Sequence, residues 1–271
     1  MADIFKTFKP KEPTVAKYVD YYYLDIKPEN EFSGFRCFPH YNSTISLYRS
    51  HKRGKDNVQF YDKNAGPLQI FTPVREKMLE VKQVGRVHRI VIVFHLLGIQ
   101  QFYRDLNFSA YILGFDFFNK AQLSCLFQTA DPAMLTDLLD QYLLERYIEW
   151  EHPLLNEAVQ SVFDQYGAFS VEQLAREYGI SRRHLNRIFK DHIGVSVKKL
   201  QTIVRFRKAL ERKLFFYPEE NFTQLAYALD FSDQAHLNKT FEKLTQYAPR
   251  QFFQKGTRLG REDTFWHLDQ I

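Results

Sequence analysis

One pattern occurs twice in the C-terminal third of this chain, and it restricts the fold more than any other feature of the sequence. The first copy reads Leu174-Ala175, Gly179-Ile180-Ser181, His184-Leu185, Phe189-Lys190, Gly194-Val195-Ser196. The second reads Leu225-Ala226, Asp230-Phe231-Ser232, His236-Leu237, Phe241-Glu242, Gln246-Tyr247-Ala248. Leu174 and Leu225 are offset by 51 positions and Phe189 and Phe241 by 52, so one residue is inserted just after the second Ser. A short helix ending in a turn, followed by a helix opened by Ser, is how a helix-turn-helix reads in sequence. Two in tandem imply one chain that enters two major grooves.

The local chemistry of the first copy follows that plan. Ser170 opens a helix, and Gln173 three residues on can close a capping box. Leu174 and Ala175 face inward, Gly179 ends the helix and Ser181 caps the next one. Leu185 and Phe189 pack inward with Ile188. On the outward side, Arg183, Asn186, Arg187 and Lys190 share one face, and the stretch from Arg182 to Lys190 carries four basic residues and no acid. Arg pairs bidentately with guanine and Asn with adenine, each good pair giving roughly 1–3 kcal/mol of discrimination. Alone, such a face reads as a solvated helix; the repeat and the turn chemistry decide against that.

In the second copy Thr223 is the expected N-cap of the first helix, and Ser232 or Asp233 that of the next. Leu237, Phe241 and Leu244 face inward. Ala235, Asn238, Lys239 and Glu242 share the outward stripe, with Gln234 near its start. This face is less basic, so less affinity and more selectivity are expected of it. Between the copies, Ser196 to Phe216 has helical spacing and would span roughly 30 Å, close to one turn of B-DNA. Lys198, Lys199, Arg205, Arg207, Lys208, Arg212 and Lys213 lie on or near it, some in reach of phosphates.

Charge agrees with a divided chain. The 271 residues carry a net charge of +5, but positions 167 to 255 hold 16 Lys and Arg against 9 Asp and Glu, so the rest is slightly acidic. Only one half is built to face a polyanion. The two cysteines, Cys37 and Cys125, are far apart and fit small buried residues in a reducing compartment. No apolar segment near the start reads as a secretory signal, and the run from Ile90 to Ile99 is too short to span a bilayer. A cytoplasmic, nucleoid-associated protein with no membrane partner is expected.

Residues 1–130 read as a β-rich regulatory or sensing domain, sandwich- or barrel-like. Phe35 to Tyr41, Thr44 to Tyr48, Val58 to Tyr61, Leu68 to Phe71, Met78 to Val84 and Val87 to Phe94 are short β-favouring runs between turn signals. Ile99 to Tyr103 reads as a short helix. Residues 131–166 read as connecting helices, the first capped by Asp131-Pro132 and the second starting at Pro153, with Tyr166-Gly167-Ala168 as the loop onward. Residues 167–256 form the expected DNA-binding domain and 257–271 a tail without a period. The fold class is therefore α+β, a β-rich domain followed by an all-α domain with two helix-turn-helix motifs.

Over positions 170 to 253 these residues resemble the AraC/XylS family of bacterial transcription regulators. The likeness rests on Leu174-Ala175, Ser181, His184-Leu185, Arg187, Phe189-Lys190, Gly194, Ser196, Arg205, Ala209, Leu225-Ala226, Phe231, His236-Leu237, Phe241, Ala248-Pro249 and Phe252. It implies a seven-helix DNA-binding domain and control of transcription initiation, with an activator role. By position, Arg183, Asn186 and Arg187 resemble the family's first-helix base contacts, and Gln234, Asn238 and Lys239 its second set; Arg182 and Lys190 are further expected DNA contacts. Two positions depart from the pattern: Asp230 stands where Gly is usual before Phe231, and Gln246 where the first copy has Gly194. The resemblance implies double-stranded DNA and RNA polymerase as partners and leaves room for a homodimer and for a small-molecule effector at the N-terminal domain. No cofactor is implied.

Nothing resembles HExxH, a P-loop or a Cys-x-x-Cys pair, so no enzyme is expected. A metal site built from His40, His88 and His95 is disfavoured, because His88 and His95 on one strand would face opposite sides. One other reading stays open: a small-molecule or protein-binding sensor whose DNA-binding domain is weak or degenerate. Its aromatic segment Tyr21-Tyr22-Tyr23, Phe32, Phe35, Phe38 and Tyr41 could line a pocket or simply fill the core.

Overall fold

The computed structural model describes residues 2–103, 108, 112–113, 116–166, 170–262 and 264–268. A β-rich N-terminal region is followed by a helical C-terminal domain that contains both repeats. Among the described residues, two six-stranded sheets form. One has the order β1 (Ile4–Phe8), β2 (Val19–Lys27), β9 (Val87–Phe94), β4 (Ser43–Tyr48), β7 (Leu68–Thr72), β10 (Ile112–Leu113). The other runs β11 (Thr257–Arg258), β12 (Phe265–Leu268), β3 (Phe32–Cys37), β8 (Leu79–Val84), β6 (Val58–Tyr61), β5 (His51–Arg53). Among the described residues, only β6 and β8 pair in parallel.

Side-chain alternation explains why the first sheet is apolar on both faces. Tyr22, Leu24 and Ile26 of β2 join Ile90, Ile92 and Phe94 of β9 in a core covered by α1 (Pro13–Ala16), α2 (Lys120–Leu126) and α3 (Pro132–Leu144). Tyr21, Tyr23, Val91 and Val93 point the other way and meet Phe35, Val81 and Trp266 of the second sheet. Buried strands of this kind read as continuous apolar runs, and the run from Val87 to Phe94 is one. Between the sheets lie Asp25 and Arg89, 2% and 3% exposed and 2.9 Å apart. The Arg89 guanidinium is ringed by Tyr23, Phe35, Tyr48 and Trp266. Tyr21, Tyr23 and Phe35 wall an internal cavity of about 70 Å³ beside it, whereas Tyr22 and Phe38 are pure core.

Several strands differ from expectation. β3 stops at Cys37, before Pro39, instead of running to Tyr41. β1, β2 and both C-terminal strands were not expected, although Pro10, Pro28, Asn30, Gly256 and Gly260 border three of them. Ile99–Gln101 is a single 3-10 turn. Cys37 and Cys125 are free thiols, and Cys125 is exposed on α2, contrary to its expected burial.

The connecting helices begin as their caps dictate. Asp131 accepts from the Ala133 N–H at 2.8 Å with Pro132 first in α3. Asp140 of α3 takes the Tyr22 hydroxyl at 2.7 Å and the N–H groups of Lys11 and Glu12, fastening the helix to the sheet. α4 (Pro153–Asp164) turns its Leu155, Ala158 and Val162 into the core of the first repeat. The expected loop at Gly167-Ala168 lies outside the described residues.

Candidate nucleic-acid interface

The first repeat folds as α5 (Val171–Glu177), α6 (Arg182–Ile193) and the long α7 (Val197–Glu211); the second as α8 (Phe222–Ala228), α9 (Gln234–Thr245) and α10 (Pro249–Lys255). Five of these helices start on a polar cap, and α10 starts at Ala248-Pro249 without one. Ser181 accepts from the His184 N–H at 3.1 Å, and Asp233 from the His236 N–H at 2.7 Å. Gly179 and Asp230 hold the two turns at φ 63° and 57°. Gly194 and Gln246 end α6 and α9 at φ 89° and 67°. The second copy therefore keeps the left-handed turns despite losing glycine at both, with strain that Asp tolerates better than Gln.

Two caps differ from the sequence expectation. Gln173 bonds Glu177 at 3.0 Å instead of reaching back to Ser170, so only half of that box forms. In the second copy Asn221, not Thr223, is the cap, and it forms a full box with Gln224. α7 is also shorter than expected: its 15 residues span about 22 Å. It continues as one wider π-turn, Arg212–Phe216.

Buried Leu185, Phe189 and Ile193 anchor α6, and Leu237, Phe241 and Leu244 anchor α9. Their opposite faces are open to solvent. Arg182, Arg183, Arg187 and Lys190 are exposed on α6, and Arg183, Arg187 and Lys190 line one open groove with Ser181, His184, Asn186 and Asp191. Arg187 Nη2 lies 3.3 Å from His184 Nδ1. Asn186 lines the same groove with its polar atoms already engaged: its amide donates to the Arg182 carbonyl at 2.9 Å, and its Oδ1 accepts from the Val197 N–H at 3.3 Å. It ties α6 to α7. On α9, Gln234 and Lys239 are exposed and Asn238 is half-buried. The Gln234 carbonyl oxygen accepts from the Thr223 hydroxyl at 2.6 Å.

The cations of the central helix serve mostly inside the protein. Arg205 donates to the Leu229 carbonyl at 2.7 Å and lies 3.9 Å over the Phe231 ring, bracing the second turn. Arg207 donates to the Pro39 and Phe38 carbonyls, and Lys199 pairs with Glu76, both joining α7 to the β domain. Arg212 pairs with Glu220 and Lys208 with Glu211. Free positive charge is thereby concentrated on α6. Sequence reasoning passed over His184 as a groove residue, although the matching His236 in the second repeat was the available signal.

Residues 174–255 match the model of a helix-turn-helix domain. The C-terminal region is a DNA-binding domain of the AraC type. It is 34% identical over 76 residues to the HTH-type transcriptional regulator GlxA of Rhizobium meliloti, which covers 28% of this chain and 23% of that protein. An HTH-type transcriptional regulator of Haemophilus influenzae is 31% identical over 124 residues, 44% of this chain and 40% of its own. The chain thus spans less than half the length of these relatives. Among solved structures, ToxT of Vibrio cholerae aligns over 85% of this chain and 96% of its own at 12% identity, with a TM-score of 0.47. Among the described residues, no helix is long and apolar enough to cross a membrane.

Proposed function

We propose that this protein is a sequence-specific transcription regulator that inserts α6 and α9 into adjacent major grooves of double-stranded DNA. The observation that carries this reading is the pair of solvent-open helices, each set by a cap and a left-handed turn and both built onto α7. Arg182, Arg183, Arg187 and Lys190 act on the first groove, Gln234, Asn238 and Lys239 on the second. Asn186 reaches a base only by giving up its bonds to Arg182 and Val197. The unequal charge of the two faces makes α6 the main source of affinity. Residues 1–130 regulate, through a small-molecule effector, a homodimer contact or both, and RNA polymerase is the partner of an activator. Work on DNA makes the nucleoid its place in the cytoplasm.

A genome-wide binding profile with footprinting tests this. Two protected patches should appear about one helical turn apart, roughly 34–36 Å, and affinity should fall steeply with salt. Salt-insensitive binding, or a single short patch, would defeat the paired-groove reading. The internal cavity beside Arg89 favours a second reading, a sensor with a weak DNA-binding domain, and titration with metabolites in the absence of any footprint would support that instead.

A further inference from the structure

The residues after α10 do not trail away from the DNA-binding domain. They cross back, and β12 joins the β domain beside β3, with His267 opposite Arg36 and Leu268 opposite Phe35. Among the described residues this ladder pairs two residues, and β3 pairs with β8 over six. Side chains add to the hold. Phe265, Trp266 and His267 are all buried. Trp266 stacks on Phe35 at 4.5 Å and meets Phe5 and Tyr23 edge-on. His267 Nε2 lies 2.8 Å from the Phe252 carbonyl. Before β12, Glu262 pairs with Lys9, and the Arg261 N–H donates to Thr7 of β1.

The pocket that receives this strand is shared with the reading machinery. Phe38 of the β domain packs on Phe252 of α10 at 4.7 Å and on the His267 ring at 4.6 Å. Phe252 in turn touches Phe206 of α7 and Phe241 on the inner face of α9. A docked β12 thus fixes the second reading helix against the β domain. Elsewhere along the boundary with the β domain, Lys199 near the start of α7 pairs with Glu76.

We propose that β12 is a latch: docked, it restrains DNA binding; displaced, it takes Phe265 and His267 off Phe252 and so loosens the support of α9. The proposal rests on the DNA-binding reading above. An edge strand held by a few aromatic rings is suited to exchange, because losing it leaves β3 still paired to β8 over six residues.

The test uses the full chain and a mixed-sequence duplex of about 30 base pairs, roughly three helical turns. Trp266→Ala should bind it more tightly. Unchanged or weaker binding by a folded Trp266→Ala protein overturns the latch. A reversible lock covers the case in which that variant does not fold. Arg36→Cys with His267→Cys, in a Cys37→Ser, Cys125→Ser background, should form a disulfide. The oxidised form should then bind more weakly than the same protein after reduction. Equal affinities, or no crosslink under oxidising conditions, overturn the proposal. No salt-sensitive binding by any form overturns the DNA-binding reading itself.

Discussion

Replacing Arg205 separates a structural brace from a phosphate contact. Its Nε donates to the Leu229 carbonyl at 2.7 Å, and its guanidinium lies 3.9 Å over Phe231. Leu229 and Phe231 are both buried and flank Asp230, the strained residue of the second turn. Arg205→Met keeps much of the aliphatic stem and removes both polar interactions. A hydrogen bond from a charged donor is worth about 1.5–3 kcal/mol, and a cation–π contact about 0.5–2 kcal/mol. Arg205 is only half-buried, so the lower ends apply and the expected loss is about 2 kcal/mol. In a domain of roughly 60–100 residues each kcal/mol lowers the melting temperature by about 4–8 °C, so a drop of about 8 °C or more is expected by circular dichroism. A phosphate contact behaves differently. Its removal leaves the melt unchanged and lowers the salt slope of DNA binding by about 0.9. That second outcome would refute the brace.

Arg187→Ala should weaken binding to a footprinted site more than to mixed-sequence DNA, by about 1–3 kcal/mol; equal losses, read by fluorescence anisotropy, would reduce Arg187 to a backbone contact. Gln246→Gly should stabilise the second repeat by about 0.5–1 kcal/mol in chemical denaturation, since the left-handed C-cap penalises a side chain more than Gly loses in chain entropy. The pH dependence should come from buried histidines. Burial lowers His51 and His88 to about 4 from an ordinary 6.5, so the folded state resists protonation. Their contribution is intact above pH 6.5 and is lost as pH falls from there toward 4. The melting temperature should decline across that window, and His51→Gln with His88→Gln should flatten the decline.

The helical half was legible because its signals are local. Caps, turn residues and 3.6-residue spacing act within a few positions, so Ser181, Gly179, Leu185 and Phe189 could be placed without tertiary information. The left-handed turns at Asp230 and Gln246 were foreseeable for the same reason, from alignment of one repeat on the other. What was hidden depends on partners distant in sequence. Asn186 looked like an outward reader on a helical wheel, yet its best hydrogen-bond partners are the start of α7 and its own preceding turn. Arg205 and Arg207 looked like phosphate contacts until the carbonyls of Leu229, Phe38 and Pro39 came within reach. β2 was obscured because both its faces are buried, leaving no alternation to read. β12 was obscured because four residues carry too little pattern, and its strand partner lies more than two hundred positions earlier.

The placement of β12 has a consequence for how the chain is made. During synthesis β3 emerges early, while the strand that flanks it is translated only after all six helices of the DNA-binding domain. Until then Phe35 lacks its stacked indole, and the β3 edge stays bare beside a growing polypeptide. Maturation of the N-terminal half must therefore finish after translation has passed the helical half. Ribosome-bound intermediates should be the form most prone to pair wrongly with one another.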